Sequence, residues 1–246
     1  MIEPVSVPLI ARFELGGASA AFTGRSGGIS TGSFSELNLG GHVGDEPEVV
    51  RANRDLLAGS VGLSRHVGMN QVHGTEVVSL SAGVRCTDEV WGETVGDADS
   101  LVTKQLNVGL VALTADCLPI ALGTKDAVAV IHAGWRGLSS GVVENAITAL
   151  RQVSNGSIAA AIGPCAGVCC YEVSIDVLNA FSPAACFEGR MLNLGATAED
   201  RLNRAGVNVV HRLSVCTICD GEERFFSHRR EGVPTGRQGV IAWLNS

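Results

Sequence analysis

Runs of apolar residues separated by polar or glycine-containing turns predict many short strands. Five runs rich in Val, Ile, Leu and Ala suit buried strands, and they cover residues 108–113, 120–122, 127–131, 158–162 and 240–244. The turn at 123–126 separates the second run from the third, which indicates a β-hairpin. Shorter strand-like stretches at 21–25, 71–78 and 207–210 complete the strand prediction.

Helical spacing of apolar residues appears in four other segments. The first begins at 45–48, where Asp45 can cap the helix and Pro47 suits its first turn. The others follow residue 137 or cover 174–180 and 198–205. Helices and hairpins alternate irregularly, which is typical of an α+β or mixed α/β fold. Because no linker, charge block or repeat divides the chain, we expect a single domain over 1–246.

Composition narrows the possible partners and the compartment. The 246 residues are 46% hydrophobic and carry a net charge of −7, which argues against binding a polyanion such as nucleic acid. Residues 1–17 lack a signal peptide, and the apolar stretch 158–171 is too short and too interrupted to span a membrane. We therefore expect a cytoplasmic monomer whose eight cysteines are free thiols or metal ligands.

Three residues with metal-binding or nucleophilic chemistry lie at element boundaries. Cys117 follows the break of an apolar run at Asp116, His132 ends the next strand, and His73 precedes a glycine and a β-prone segment. We call His73, Cys117 and His132 the triad. Two imidazoles and a thiolate match a catalytic zinc, which has three protein ligands and an open position. The alternative is a metal-free site in which Cys117 is the nucleophile and His132 or His73 is its base.

Further side chains near these boundaries could assist. Asp99, Asp116 and Glu172 are candidates for moving protons, and spacing does not rank them. Arg136 follows His132 at a helix start and could bind an anion such as phosphate, or simply pair with a surface acid.

A structural zinc site formed by two pairs of cysteines is the weaker interpretation, because small core cysteines fit the spacing better. These pairs are Cys165 with Cys169 and Cys216 with Cys219.

Seven motifs in fixed order carry a family resemblance: AFTGRSGGIS, LNLGGHVGD, NQVHG, TADCLPI, HAGWRG, IGPCAGVCCYEV and TGRQG. From about Phe22 to Leu244 the chain resembles the multicopper polyphenol oxidase (laccase-domain) family, also called purine nucleoside phosphorylase-like proteins or peptidoglycan editing factors. The resemblance implies a layered α/β/β/α sandwich similar to the catalytic domain of cytotoxic necrotizing factor toxins. It also implies substrate contacts from Arg25 and Arg229. His228 stands where the family usually has tyrosine, so we assign it no catalytic role.

The resemblance also implies an activity. It predicts a zinc-dependent enzyme that phosphorolyses adenosine- or inosine-type nucleosides and deaminates adenosine, with phosphate and a purine nucleoside as its small-molecule partners. One alternative is a cysteine-dependent amidase that edits peptidoglycan precursors, and another is a copper-binding polyphenol oxidase. Six histidines are too few for the full copper set of a laccase, although copper could replace zinc at the triad. A non-enzymatic anion-binding module with a structural metal is a further alternative.

Overall fold

A computed structural model describes residues 7–81, 84–90, 92–181 and 185–245. The strands are β1 (Leu9–Leu15), β2 (Ala18–Thr23), β3 (His66–Asn70), β4 (Val77–Leu80), β5 (Thr87–Glu89), β6 (Gly92–Asp97), β7 (Ser100–Thr103), β8 (Gly109–Thr114), β9 (Leu118–Gly123), β10 (Val128–Ala133), β11 (Ala159–Ile162), β12 (Phe187–Glu188), β13 (Met191–Leu192), β14 (Asn208–Arg212) and β15 (Gln238–Leu244). The helices are α1 (Pro47–Ser60), α2 (Trp135–Ser140), α3 (Val142–Val153), α4 (Ile175–Phe181), α5 (Leu194–Arg204) and α6 (His228–Glu231).

Two mixed sheets organise these elements. A seven-stranded sheet has the order β1-β2-β15-β8-β3-β6-β5, and a six-stranded sheet has the order β14-β11-β9-β10-β7-β4. Most neighbours are antiparallel, but β3 runs parallel to β6 and β8, β4 to β7, and β11 to β14. The predicted hairpin of β9 and β10 is confirmed, and it pairs His132 with Pro119. That register brings the start of β9 next to the end of β10.

Three apolar clusters show how the sheets and helices are layered. Side chains of both sheets meet in one cluster, which includes Phe22, Leu110 and Val130. A second cluster packs the other face of the six-stranded sheet against α3, α4 and α5, and a third packs the seven-stranded sheet against α1. The predicted α/β/β/α layering is therefore confirmed. The proposed likeness to the toxin catalytic domain stays a prediction.

Several local predictions are corrected. The N-cap of α1 is Glu46, because the Asp45 carboxylate instead accepts hydrogen bonds from Ser30 and Asn38. The helix expected after His132 is broken into α2 and α3 at Gly141, whose φ of 100° lies in the left-handed region.

Two further histidines lie outside the cleft that the triad lines. His66 is in β3 with 8% of its surface exposed. His211 is exposed and stacks on Phe13 with ring centroids 4.1 Å apart. No helix in the described parts of the chain is long and apolar enough to cross a membrane.

Candidate metal centre and substrate cleft

The three residues of the triad meet in space although they come from three segments. His73 lies in the loop after β3, Cys117 directly precedes β9, and His132 is the penultimate residue of β10. Their ligand atoms all lie within 4.8 Å of one another, and Cys117 Sγ is 3.7 Å from His73 Nε2. The two imidazole rings meet edge to face with centroids 4.8 Å apart. Hairpin register explains the proximity of Cys117 and His132, whereas His73 arrives from the other sheet.

A buried carboxylate holds both histidine segments. Asp99 is fully buried, and its Oδ1 lies 2.7 Å from His132 Nδ1. The same carboxylate accepts hydrogen bonds from the backbone N–H groups of Val72, His73 and Gly74, at 3.3, 3.1 and 2.6 Å. These bonds stabilise the left-handed φ of 59° at His73, which a residue other than glycine rarely adopts. Asp99 therefore positions the triad, and both of its carboxylate oxygens accept hydrogen bonds from protein groups.

Glycines in the HAGWRG motif allow the His73 loop to approach. A Cβ atom at Gly134 would lie 2.6 Å from His73 Cδ2 and 3.2 Å from Cys117 Sγ. A Cβ atom at Gly137 would lie 2.6 Å from the carbonyl oxygen of Gly74. The two distances of 2.6 Å are too short for real Cβ contacts, so a larger residue at Gly134 or Gly137 would force the His73 loop to move.

The triad favours a charged pair in the absence of metal. Burial raises the pKa of the Cys117 thiol, but the charge and hydrogen bond of His132, together with His73, lower it by more, to about 6. Burial lowers the pKa of His132, but Cys117 and the hydrogen bond to Asp99 raise it by more, to about 9. Near pH 7 the pair is therefore a thiolate and an imidazolium. A thiolate is the form that binds a metal or attacks a carbon atom.

The donor set fits a single metal ion with an open position. One thiolate and two imidazoles match the three protein ligands of a catalytic zinc. Asp99 bonds to His132 Nδ1, which leaves Nε2 as the ligand atom and fixes the ring orientation, as carboxylates commonly do beside metal-binding histidines. The residues present therefore fit a catalytic metal, and their chemistry alone does not identify which one.

All three residues of the triad line a cleft of about 530 Å³. This volume lies within the range of small-molecule sites. The cleft is also lined by residues of β3, β5, β6 and β8 and of neighbouring loops. Several of the polar and charged side chains among them had no role assigned from the sequence; these are His42, Arg54, Asn70, Gln71, Glu89, Asp97, His228 and Arg237.

Arg237 reaches the cleft because two sequence motifs pair with each other. The side-chain oxygen of Asn38, in LNLGGHVGD, accepts hydrogen bonds from the backbone N–H groups of Gly40 and Arg237, both at 2.9 Å. A Cβ atom at Gly40 would lie 2.7 Å from Arg237 Cγ, so glycine is required where the arginine stem passes. The NLGG and TGRQG motifs thus position the Arg237 guanidinium together. Because Asn38 and Arg237 are 199 residues apart, the contact between the two motifs could not be predicted from the sequence.

Arg25 was expected to contact substrate, but it does not line the described cleft. Its guanidinium donates to the Ser35 carbonyl at 2.8 Å, pairs with Glu231 at 3.0 Å and lies over the Phe226 ring. These contacts join the glycine loop after β2 to the segment around α6. In this structure Arg25 joins two loops, and its contact with substrate stays a prediction.

Arg136 and Arg229 are not among the residues that line the cleft. Arg136 is exposed and stacks on Trp135, whereas Arg229 lies over the ring of Tyr171. The backbone N–H of Arg229 donates to Asp116 at 2.7 Å. Burial, and next the charge of Cys117, raise the pKa of Tyr171 to about 12. Arg229 is therefore held beside Asp116, which precedes Cys117 in the chain, whereas Arg136 contacts the neighbouring Trp135.

The predicted proton-transfer carboxylates are occupied by structural contacts. Asp116 accepts from Thr217 Oγ1 at 2.6 Å as well as from the backbone of Arg229. Glu172 is exposed and pairs with Arg190 at 3.3 Å. Asp99 is likewise hydrogen-bonded within the protein. The acidic residues that line the cleft are Asp97 and Glu89.

Residues 19–245 match the family described as multi-copper polyphenol oxidoreductase laccase. The chain belongs to this family. Relatives include a purine nucleoside phosphorylase of Xylella fastidiosa, 41% identical over 93% of each chain, and one of Streptomyces coelicolor, 38% identical over 95% of this chain and 98% of the relative.

Two solved structures in the comparison share the fold. Protein NMB0706 of Neisseria meningitidis has a TM-score of 0.79 and 36% identity, covering 94% of this chain and 95% of its own. YlmD of Geobacillus stearothermophilus has a TM-score of 0.84 and 32% identity, covering 94% and 93%. The fold and the family assignment therefore agree.

The family description includes the word laccase, but the described residues of this chain do not contain the copper ligands of a laccase. All six histidines lie within the described residues, but the side chains there that could hold a metal gather in only two groups, the triad and a cluster of four cysteines. The trinuclear copper cluster of a laccase needs a further group of histidines, and the described residues contain no such group. At most a single copper ion could occupy the triad.

Proposed function

We propose that this chain is a zinc-dependent purine nucleoside enzyme, which phosphorolyses adenosine and inosine and also deaminates adenosine. The observation that carries the proposal is the opening of a three-ligand metal set into a cleft of about 530 Å³. Relatives that match nearly the whole chain bear the name purine nucleoside phosphorylase, which supports nucleoside and phosphate as substrates.

Positive charge in the cleft supports phosphate binding. Arg237 and Arg54 both line it, beside His42. Burial, and next the charges of Arg237 and Arg54, lower the pKa of His42, which indicates that cationic groups are concentrated around this imidazole. Guanidinium groups bind phosphate oxygens through charge-assisted hydrogen bonds. We therefore assign phosphate to this part of the cleft, in place of the Arg25 and Arg136 set expected from sequence.

The proposed reactions need groups that this chain supplies. In phosphorolysis a phosphate oxygen bonds to the ribose C1′ atom while the bond from C1′ to the purine nitrogen breaks, and the released base takes up a proton. In deamination water adds to the purine ring and ammonia leaves. When bound, zinc supplies a Lewis acid for the attacked group. Asp97, which Asn70 orients through a 2.5 Å hydrogen bond, and Glu89 are the carboxylates available to exchange protons with substrate.

The test measures products from purified protein and adenosine, with and without phosphate. We expect inosine and ammonia without phosphate, and free purine with ribose 1-phosphate only when phosphate is present. Removal of metal by a chelator should abolish both reactions, and added zinc should restore them. His73→Ala should remove both activities, whereas Arg25→Ala, outside the cleft, should retain both. Purines left untouched in both assays would refute the proposal.

One observation favours a second candidate function, a metal-free cysteine amidase. The pKa of Cys117 is lowered to about 6, and the thiolate lies beside His73 and the pair of His132 and Asp99. A thiolate with an oriented histidine is the arrangement that such enzymes use. Hydrolysis of a muramyl peptide precursor by metal-free protein, without any purine turnover, would establish this function.

Three expectations accompany the proposal. We propose zinc as the metal because a three-ligand site of this kind is typical of catalytic zinc, with copper able to replace it when copper is abundant. We also propose a cytoplasmic location, which is supported by eight cysteines that form no disulfide bonds. A single domain that acts as a monomer remains the expected organisation. Metal analysis, fractionation and light scattering test these points.

A further inference from the structure

A second group of metal-binding side chains lies apart from the triad. Cys169 and Cys170 belong to the loop between β11 and α4, and Cys216 and Cys219 belong to the loop between β14 and α6. We call these four residues the cysteine cluster. Their sulfur atoms all lie within 4.8 Å of one another, and the sulfurs of Cys169 and Cys219 are 3.5 Å apart.

The structure changes the interpretation that sequence spacing favoured. Small core cysteines should be buried, but Cys169 and Cys219 are exposed, while Cys170 and Cys216 are partly exposed. Cys165 is the buried residue of this segment, and burial raises its pKa to about 12. The convergent set therefore contains Cys170 in place of Cys165. Four thiols gathered at a surface have no packing explanation.

Backbone geometry holds the two loops together at the cluster. The Thr217 N–H donates to the Cys165 carbonyl at 3.0 Å, and the Gly167 N–H lies 3.2 Å from Cys216 Sγ, which accepts its hydrogen bond. A Cβ atom at Gly167 would lie 2.9 Å from Cys216 Cβ and 3.3 Å from Cys169 Sγ. Glycine thus permits close approach of the loops, and a backbone donor faces one of the sulfurs. N–H donors of this kind stabilise a metal-bound thiolate.

We propose that the cysteine cluster binds one zinc ion through four thiolates, as a structural site distinct from the triad. Zn–S bonds of about 2.3 Å place tetrahedral sulfurs roughly 3.8 Å apart. The four sulfurs already lie within 4.8 Å of one another, and one pair is 3.5 Å apart. Zinc suits the site because a set of four thiolates fills a tetrahedral shell without an open position. The C-x-x-C spacing of Cys216 and Cys219 provides two neighbouring ligands from one tight turn.

The same two loops also hold the residue that precedes Cys117. Thr217, inside the C-x-x-C turn, donates to the Asp116 carboxylate at 2.6 Å, and the Ala166 N–H donates to the Asp116 carbonyl at 2.8 Å. Asp116 has a φ of 88°, which needs such support in a residue other than glycine. A metal that fastens the loops would therefore stabilise the backbone leading into the triad.

Metal analysis of single-site variants tests the proposal. Protein produced with added zinc and purified in reductant should carry about two zinc ions per chain, as measured by elemental analysis and native mass spectrometry. Cys117→Ala should retain about one zinc, and X-ray absorption should show four sulfur ligands at about 2.3 Å. Cys216→Ser should also retain about one zinc, now with mixed nitrogen and sulfur ligands. Cys186→Ser and Cys165→Ala are the matched controls and should retain both ions.

Thermal unfolding supplies a readout that is independent of activity. Excess zinc should raise the melting temperature of Cys117→Ala but not that of Cys117→Ala combined with Cys216→Ser. If the triad binds no metal, the wild type should carry one zinc with four sulfur ligands, so the cluster is tested even if the proposed function fails. Cys117→Ala protein with no zinc, iron in place of zinc, or a metal-free disulfide between Cys169 and Cys219 would overturn the proposal.

Discussion

Replacing Asp99 with asparagine tests whether this buried carboxylate organises the triad. Its Oδ1 faces His132 Nδ1 and the His73 N–H, and its Oδ2 faces the N–H groups of Gly74 and Val72. All these partners donate when His132 is protonated on Nδ1. An asparagine side chain offers one oxygen and one NH2 group, so either pair of donors would face another donor.

The expected loss follows from those contacts. Each donor left facing another donor at this buried side chain costs about 1–3 kcal/mol, and two are affected, so Asp99→Asn should lower the free energy of unfolding by roughly 2–6 kcal/mol. Loss of a partner behind a metal-binding histidine typically weakens metal affinity about 10–100-fold. Both effects should appear together because one carboxylate serves both histidine segments.

Urea unfolding and chelator competition measure the two effects. Asp176→Asn is the matched control, because this exposed carboxylate in the first turn of α4 should contribute at most about 1 kcal/mol. Wild type and variant share the cysteine cluster, so the difference in zinc affinity reports the triad. Wild-type zinc affinity and an unchanged urea midpoint in Asp99→Asn would refute the assigned positioning role.

Three further variants or measurements address neighbouring features. Gly134→Ala should destabilise the protein by about 1–3 kcal/mol and weaken metal binding, because its Cβ would clash with His73; unchanged zinc affinity would contradict this. Alkylation of Cys117 in metal-free protein should increase as pH rises through about 6 and then level off, since the thiolate is already formed; an increase continuing to pH 9 would contradict the lowered pKa. Arg237→Ala should raise the KM for phosphate roughly 10–100-fold, whereas Arg25→Ala should leave it unchanged; equal effects would contradict the location of the phosphate site.

The sequence was sufficient for the five most apolar strands and for the residues of the triad, but not for the shorter strands. Apolar runs predicted β8, β9, β10, β11 and β15 because buried strands need continuous apolar surfaces. Cys117 and His132 could be paired from sequence since a short hairpin connects the strands that carry them. His73 comes from a segment distant in sequence, and its chemistry at a strand end was the only local signal.

The charged residues of the cleft could not be assigned in this way. A guanidinium is oriented by partners that sequence spacing does not reveal, and Arg25 pairs with Glu231, 206 residues away. Arg237 reaches the cleft through Asn38, 199 residues away. The sequence also could not show whether Cys165 or Cys170 joins the cysteine cluster, because the loop that carries both buries Cys165 and leaves Cys170 partly exposed.

The arrangement of the two histidines argues for a metal over a cysteine nucleophile. A nucleophilic thiolate needs one oriented base, and His132 with Asp99 would already supply it. Here His73 brings a second imidazole nitrogen within 4.8 Å of the other two ligand atoms, although its own backbone must adopt a left-handed conformation. The backbone N–H groups of Val72 and Gly74, on either side of His73, both donate to the Asp99 carboxylate. Such strain is expected where a further ligand must converge on one point. A site built only for nucleophilic attack would not require it, so the geometry itself favours a bound metal ion.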